Sequence, residues 1–161
     1  MKLVLSYKMF IIILVFGLFG CGENNNSEEN IRGESYIKND SQQVDDFKVS
    51  INVENGEALN VYATITYTGE EAEKDIYHGG SIFFFNIYQQ DGYFEYIGGM
   101  DQPQLTTTLF QNEPHKVTFN VLDIPNLNPG TYEFEAIASF SLNSEIASNI
   151  EIGVSKIEEI D

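Results

Sequence analysis

"ALNVYATITYT", residues 58–68, decides the fold. Its apolar side chains fall on every second residue: Leu59, Val61, Ala63, Ile65 and Tyr67. Asn60, Thr64, Thr66 and Thr68 stand between them. A period of two is the signature of a β-strand with one face buried. The β-branched residues suit a pleated, half-buried surface. The pattern recurs upstream in "DFKVSINV" (46–53), where Phe47, Val49, Ile51 and Val53 share a face. It recurs downstream in "TYEFEAIASF" (131–140), which sets Tyr132, Phe134, Ala136, Ala138 and Phe140 against Glu133 and Glu135. Near the end Ile150, Ile152 and Val154 alternate with Glu151 and Gly153.

Four more segments read as strands: "SIFFFNIYQ" (81–89), "YFEYI" (93–97), "LTTTLF" (105–110) and "HKVTFNVL" (115–122). The IFFF run is apolar on both faces, which places it in the middle of a sheet and makes it the segment most prone to aggregate if exposed. Asp91-Gly92 signals a hairpin, because this pair tolerates positive φ. Asn55-Gly56 and Pro129-Gly130 mark further turns. No stretch from 44 to 157 carries a helical period. About eight short strands, with turns roughly every 8–12 residues, predict an all-β fold, an antiparallel β-sandwich. With no tryptophan in the chain, its core rests on Phe and Tyr.

The chain ahead of residue 44 has a different texture. Gly22 to Gln43 is rich in Asn, Glu and Ser and poor in apolar residues, so it buries too little surface to offset its ordering entropy. It reads as a tether, about 22 residues spanning roughly 25 Å on average. Before it, Lys2 and Lys8 lead into "MFIIILVFGLF" (9–19), then Gly20 and Cys21. Basic, then apolar, then small is the order of a secretory signal peptide. The apolar run is too short for a spanning helix, which needs about 20 residues. The expected divisions are a signal peptide at 1–20, an anchored tether at 21–43 and a sandwich domain at 44–157.

"LFGC", Leu18 to Cys21, resembles the lipobox of bacterial lipoproteins. Leu18, Gly20 and Cys21 follow its pattern; Phe19 is bulkier than that family's usual residue. The resemblance implies cleavage between Gly20 and Cys21 and a diacylglyceryl group on the Cys21 thiol. Cys21 is the only cysteine of 161 residues, and an odd cysteine in an exported chain needs such an explanation. Two acyl chains anchor stably where one is marginal. The expected location is therefore the extracytoplasmic face of the cell membrane, with a mature domain free of disulfides.

Removing Lys2 and Lys8 from the eight basic residues leaves six against 25 acidic ones, a net charge of −19. Such a surface repels phosphate backbones and argues against nucleic acid as a partner. Anionic headgroups repel it too, so the acyl chains and no basic patch hold it to the membrane. High charge chiefly confers solubility; basic partners and divalent cations are the functional alternatives.

"LNPGTYEFEAIASF", Leu127 to Phe140, resembles the Pro-Gly-x-Tyr start of a late strand in many immunoglobulin-like bacterial domains. Taken with "VYATITYTGEE" and the Asp91-Gly92 hairpin, the layout is similar to the BsuPI-type domain, named after an intracellular proteinase inhibitor, over roughly Val49 to Val154. The resemblance implies an immunoglobulin-like sandwich of about 7–8 strands. No inhibitory residue can be matched, and the export signal departs from an intracellular inhibitor. The plan of signal, tether and sandwich also resembles that of small Bacillus-type lipoproteins.

No catalytic set emerges. His78 and His115 are the only imidazoles. Each reads as a loop or strand-start histidine, and no short ligand spacing joins them. The acidic run Glu70, Glu71, Glu73, Asp75 lacks the spacing and central Gly of an EF-hand and reads as a solvated loop. "IYHGGSIFFF" and "GGMDQPQL" offer two glycine loops beside Tyr77, His78, Tyr96, Met100 and Gln102. These read either as strand-joining turns or as an edge for a partner, since Tyr and Met are enriched at interfaces. The expectation is a non-catalytic, cofactor-free binding or accessory module for an envelope protein or wall component. A protease inhibitor is the alternative.

Overall fold

A computed structural model describes residues 39–56, 58–99, 104–120, 127–146 and 148–161. The expected signal peptide, Cys21 and most of the expected tether lie outside them, as do Met100 and Gln102. The described residues form ten strands and no helix: β1 (Ser41–Val44), β2 (Phe47–Asn55), β3 (Leu59–Tyr67), β4 (Glu73–His78), β5 (Phe83–Gln89), β6 (Glu95–Ile97), β7 (Leu105–Phe110), β8 (Pro114–Thr118), β9 (Gly130–Phe140) and β10 (Ile150–Ile160).

The alternating residues of the opening stretch explain the first sheet. β3 lies between β2 and β8 in the order β1-β2-β3-β8, with Val61, Ala63 and Ile65 opposite Val53, Ile51 and Val49. All six side chains are buried. The second sheet runs β10-β9-β5-β6. Its inner face brings Phe134, Ala136, Ala138 and Phe140 of β9 to Phe83, Phe85 and Ile87 of β5 and to Ile152 and Val154 of β10. The two inner faces make one core, and Phe47 of β2 meets Phe140 of β9 edge-on at 4.9 Å between ring centroids. The triple-Phe strand β5 is flanked by β9 and β6, as its two-sided apolarity predicts.

The neighbours β2-β3-β8 and β10-β9-β5-β6 repeat the immunoglobulin orders A-B-E and G-F-C-C′. That arrangement has a tyrosine near the start of strand F that bonds back to the chain upstream. Tyr132, near the start of β9, is buried, and its hydroxyl donates to the Asn128 carbonyl at 2.9 Å. Gly130, two residues earlier, takes φ +156°, which a side chain there would strain.

Three details differ from the sequence reading. The sandwich has ten described strands instead of about eight. Residues Ser41–Gln43, read as the end of the tether, belong to β1, which pairs with β2 through a two-residue turn with Asp45 at φ 48°. Asp tolerates that left-handed conformation. Asn39 and Asp40 are also engaged: the Asp40 carbonyl accepts from Ile51 of β2 and the Asn39 carbonyl from Ser155 of β10. Finally, "EKDIYH", read as an acidic loop running into a histidine loop, is β4. It pairs with β7, which takes the chain position of strand D; on the outer edge of β8 no further strand pairs among the described residues. This small ladder meets β9 through a Tyr77–Ser141 bridge and β3 through a Tyr67–Gln111 bridge. Its buried Ile76 and Leu109 belong to the common core.

The Asp91-Gly92 hairpin joins β5 to β6 as expected, but neither residue has positive φ. The loop is longer than a two-residue turn; the Gln89 amide donates to the Phe94 carbonyl at 2.9 Å.

Candidate functional site

The two long edges of the sandwich are unlike. On the β1–β10 side the sheets are stitched together. Asn55 Nδ2 donates to the Glu159 carbonyl at 3.0 Å, and Lys156 Nζ donates to the Val53 carbonyl at 3.1 Å. Lys156 also pairs with Glu158 at 2.6 Å. On the other side β6 and β8 end their sheets without a further partner strand among the described residues. Between them lies a groove of about 250 Å³, lined by Phe83, Phe85, Tyr96, Gly98, Val117 and Phe119 among others.

Tyr96 sits in this groove. It points toward the core, half-buried, and its ring meets Phe119 edge-on at 5.4 Å. Phe119 in turn lies 5.3 Å from the Phe85 ring. Gly98 continues β6 against β5 and donates its amide to the Phe85 carbonyl at 3.0 Å and to Asn86 Oδ1 at 3.1 Å. A Cβ there would stand 2.6 Å from that carbonyl oxygen, so the close approach requires glycine. Gly99 meets no such neighbour.

Tyr77 and His78 lie elsewhere, and on opposite faces of β4. His78 is 5% exposed. Its Nδ1 lies 2.6 Å from the Gly79 carbonyl and its Nε2 lies 2.8 Å from the Thr107 hydroxyl. A carbonyl only accepts, so Nδ1 carries the proton and Nε2 accepts from Thr107 in the neutral ring. Both nitrogens are engaged, and the side chain reaches no surface. Tyr77 is half-buried on the outward face, in a shallow depression with Glu71, Glu73, Lys74, Asp75 and Leu142. That depression shares no residue with the groove of Tyr96. The described members of the expected partner edge are therefore not one patch. His115 is in β8, opposite Ile65 and half-buried, at the start of its strand as expected.

The acidic run is more organised than a solvated loop. Lys74 Nζ binds Glu71 at 2.9 Å, which raises the lysine pKa above its usual value. The Thr108 hydroxyl donates to Asp75 at 2.6 Å. The sequence signal for β4 was present: Lys74, Ile76 and His78 alternate with Glu73, Asp75 and Tyr77. Its charged residues and its single strongly apolar residue hid the period.

Polar chemistry concentrates on the outer face of the first sheet. Glu54 accepts from Asn60 Nδ2 at 2.8 Å and from the Tyr62 hydroxyl at 3.2 Å. The Asn60 hydrogen bond, then that of Tyr62, lowers the Glu54 pKa. Desolvation and the bond to Glu54 raise that of Tyr62. Lys116 Nζ stands 3.5 Å from the centre of the Tyr62 ring, within cation–π range. Among the described residues no three His, Cys, Asp or Glu side chains are grouped to hold a metal. Every buried side-chain polar atom among them has a partner. No protein-family model matches the chain. No curated protein matches it either.

Proposed function

We propose that the chain is an extracytoplasmic lipoprotein, held to the membrane by a diacylglyceryl group on Cys21, whose β-sandwich is a non-catalytic binding module for another component of the envelope. The observation that carries this reading is the position of Cys21. The chain's only cysteine stands where an apolar run ends and an Asn- and Glu-rich linker begins. A two-chain anchor at that point holds a folded domain to a bilayer without a spanning helix. His78, 5% exposed and held by Gly79 and Thr107, lines neither the groove of Tyr96 nor the depression of Tyr77. The β6–β8 edge, which pairs with no further strand among the described residues, supplies a candidate surface.

The test is metabolic labelling with a clickable palmitate in cells expressing the parent chain or Cys21→Ser. Label and membrane retention in the parent, with both lost in Cys21→Ser, are expected. Equal membrane retention of the variant would defeat the anchor. Crosslinking of the anchored chain on intact cells then tests the binding role: one reproducible partner is expected, and none would count against it.

A further inference from the structure

The two outer faces of the sandwich carry different chemistry. The first sheet presents Ser50, Thr64, Thr66, Asn52 and Asn60, with Lys48, Lys116 and the one carboxylate Glu54. The second sheet presents Glu95, Glu133, Glu135, Glu151 and Glu159 with no Lys, Arg or His among its described outward residues. Their outward direction follows from the buried residues that alternate with them, Tyr132, Phe134, Ala136, Ile152 and Ile87 among them.

Apolar side chains share this anionic face. Ile97 is 65% exposed and Ile157 is 49% exposed. Tyr88, Phe84 and Ile137 are half-buried in the rows between them. The register sets Glu95, Tyr88, Glu133 and Ile157 in one row across all four strands and Ile97, Asn86, Glu135 and Ser155 in the next. Four strands about 4.8 Å apart make a face about 14 Å wide, enough for one helix or extended segment. Charge placed only for solubility has no reason to avoid the first sheet or to surround exposed isoleucines.

We infer that the outer face of β10-β9-β5-β6 docks a cationic amphipathic segment of a partner protein, whose Lys or Arg residues meet the five glutamates while its apolar residues cover Ile97 and Ile157. The inference deepens the binding-module reading and rests on it. Charge complementarity selects the sign of the partner and gives a salt-dependent association rate. The apolar residues distinguish a protein segment from a simple polycation.

The test uses the full chain immobilised through a C-terminal tag, with a bare surface as baseline. The probes are a synthetic amphipathic lysine–leucine peptide and an oligolysine of equal charge. The amphipathic peptide is expected to bind at least tenfold more tightly. Ile97→Ser with Ile157→Ser should erase that margin, and Ile97→Lys alone should weaken both probes. Glu95→Gln, Glu151→Gln and Glu159→Gln together should weaken both about tenfold, while Glu54→Gln on the opposite face changes neither. Equal binding of the two peptides, or an unchanged margin in the isoleucine variant, would overturn the inference. Because the peptides bind without regard to how the chain reaches its membrane, failure here is distinguishable from failure of the palmitate-labelling test.

Discussion

Single side chains hold the corners of this sandwich. Tyr132 is buried and spends its hydroxyl on the Asn128 carbonyl. Tyr132→Phe leaves that carbonyl short of a donor and should cost about 1 kcal/mol in urea unfolding. Gly69 is a tighter constraint, because a Cβ there would collide with the Tyr67 ring, itself buried. Gly69→Ala should destabilise by about 1–3 kcal/mol, the usual range for overpacking, measured as a fall in thermal midpoint. Glu54 gives a pH signature. Its folded pKa lies below the ordinary 4.5, first through Asn60 and then through Tyr62. A carboxyl depressed on folding contributes stability above its unfolded pKa and loses it as pH falls through the folded one. An NMR titration should place the Glu54 midpoint below that of an unpaired glutamate, and Asn60→Ala should raise it. An unmoved midpoint in that variant would contradict the assignment. These details were not legible in the sequence. Tyr132 was visible only as one member of an alternating face, and the bond to Asn128 depends on how the chain turns a corner.

At the scale of elements, legibility followed burial on one face. β2, β3 and β9 alternate cleanly because one side of each meets the core and the other meets water. β5 was placed centrally because Phe83, Phe84 and Phe85 leave it no polar side. β1 and β4 escaped for opposite reasons. "SQQV" has almost no apolar residue, and β1 stands through its backbone pairing with β2. "EKDIYH" has one strongly apolar residue, Ile76, and it is fully buried. Of the expected partner edge, Tyr96 was legible as an aromatic beside a glycine pair. Its distance from Tyr77 was not, because that depends on which ladder each strand joins. The outer edge of β8, which pairs with no further described strand, carries a prediction. The Phe119 amide bonds to β3, so the alternating Lys116 and Thr118 turn their backbone groups outward. Pro114 begins the strand and Lys116 is exposed along it. Proline and lysine are devices that keep edges from pairing with other chains. Pro114→Thr with Lys116→Ile should promote self-association in sedimentation velocity, and a persistent monomer would show that the groove lining alone protects the edge.

For the whole molecule, composition and topology point the same way. The excess of 25 acidic over eight basic residues favours solubility of a domain whose described elements are all strands. The chain enters the described sandwich at Asn39 and Asp40 through bonds to both sheets, on the stitched side and away from the β6–β8 edge. A partner at that edge therefore need not displace the entering strand. A lipobox-like motif is written in four consecutive residues, whereas a sheet face is assembled from four strands, so a sequence offers the first more readily than the second. The anchor is the claim on which the rest depends. Its most direct test is the intact mass and N-terminal peptide of the chain extracted from membranes. The account predicts a chain that begins at Cys21 and carries the added mass of a diacylglyceryl group. A chain that begins at Met1 with an unmodified Cys21 would contradict it.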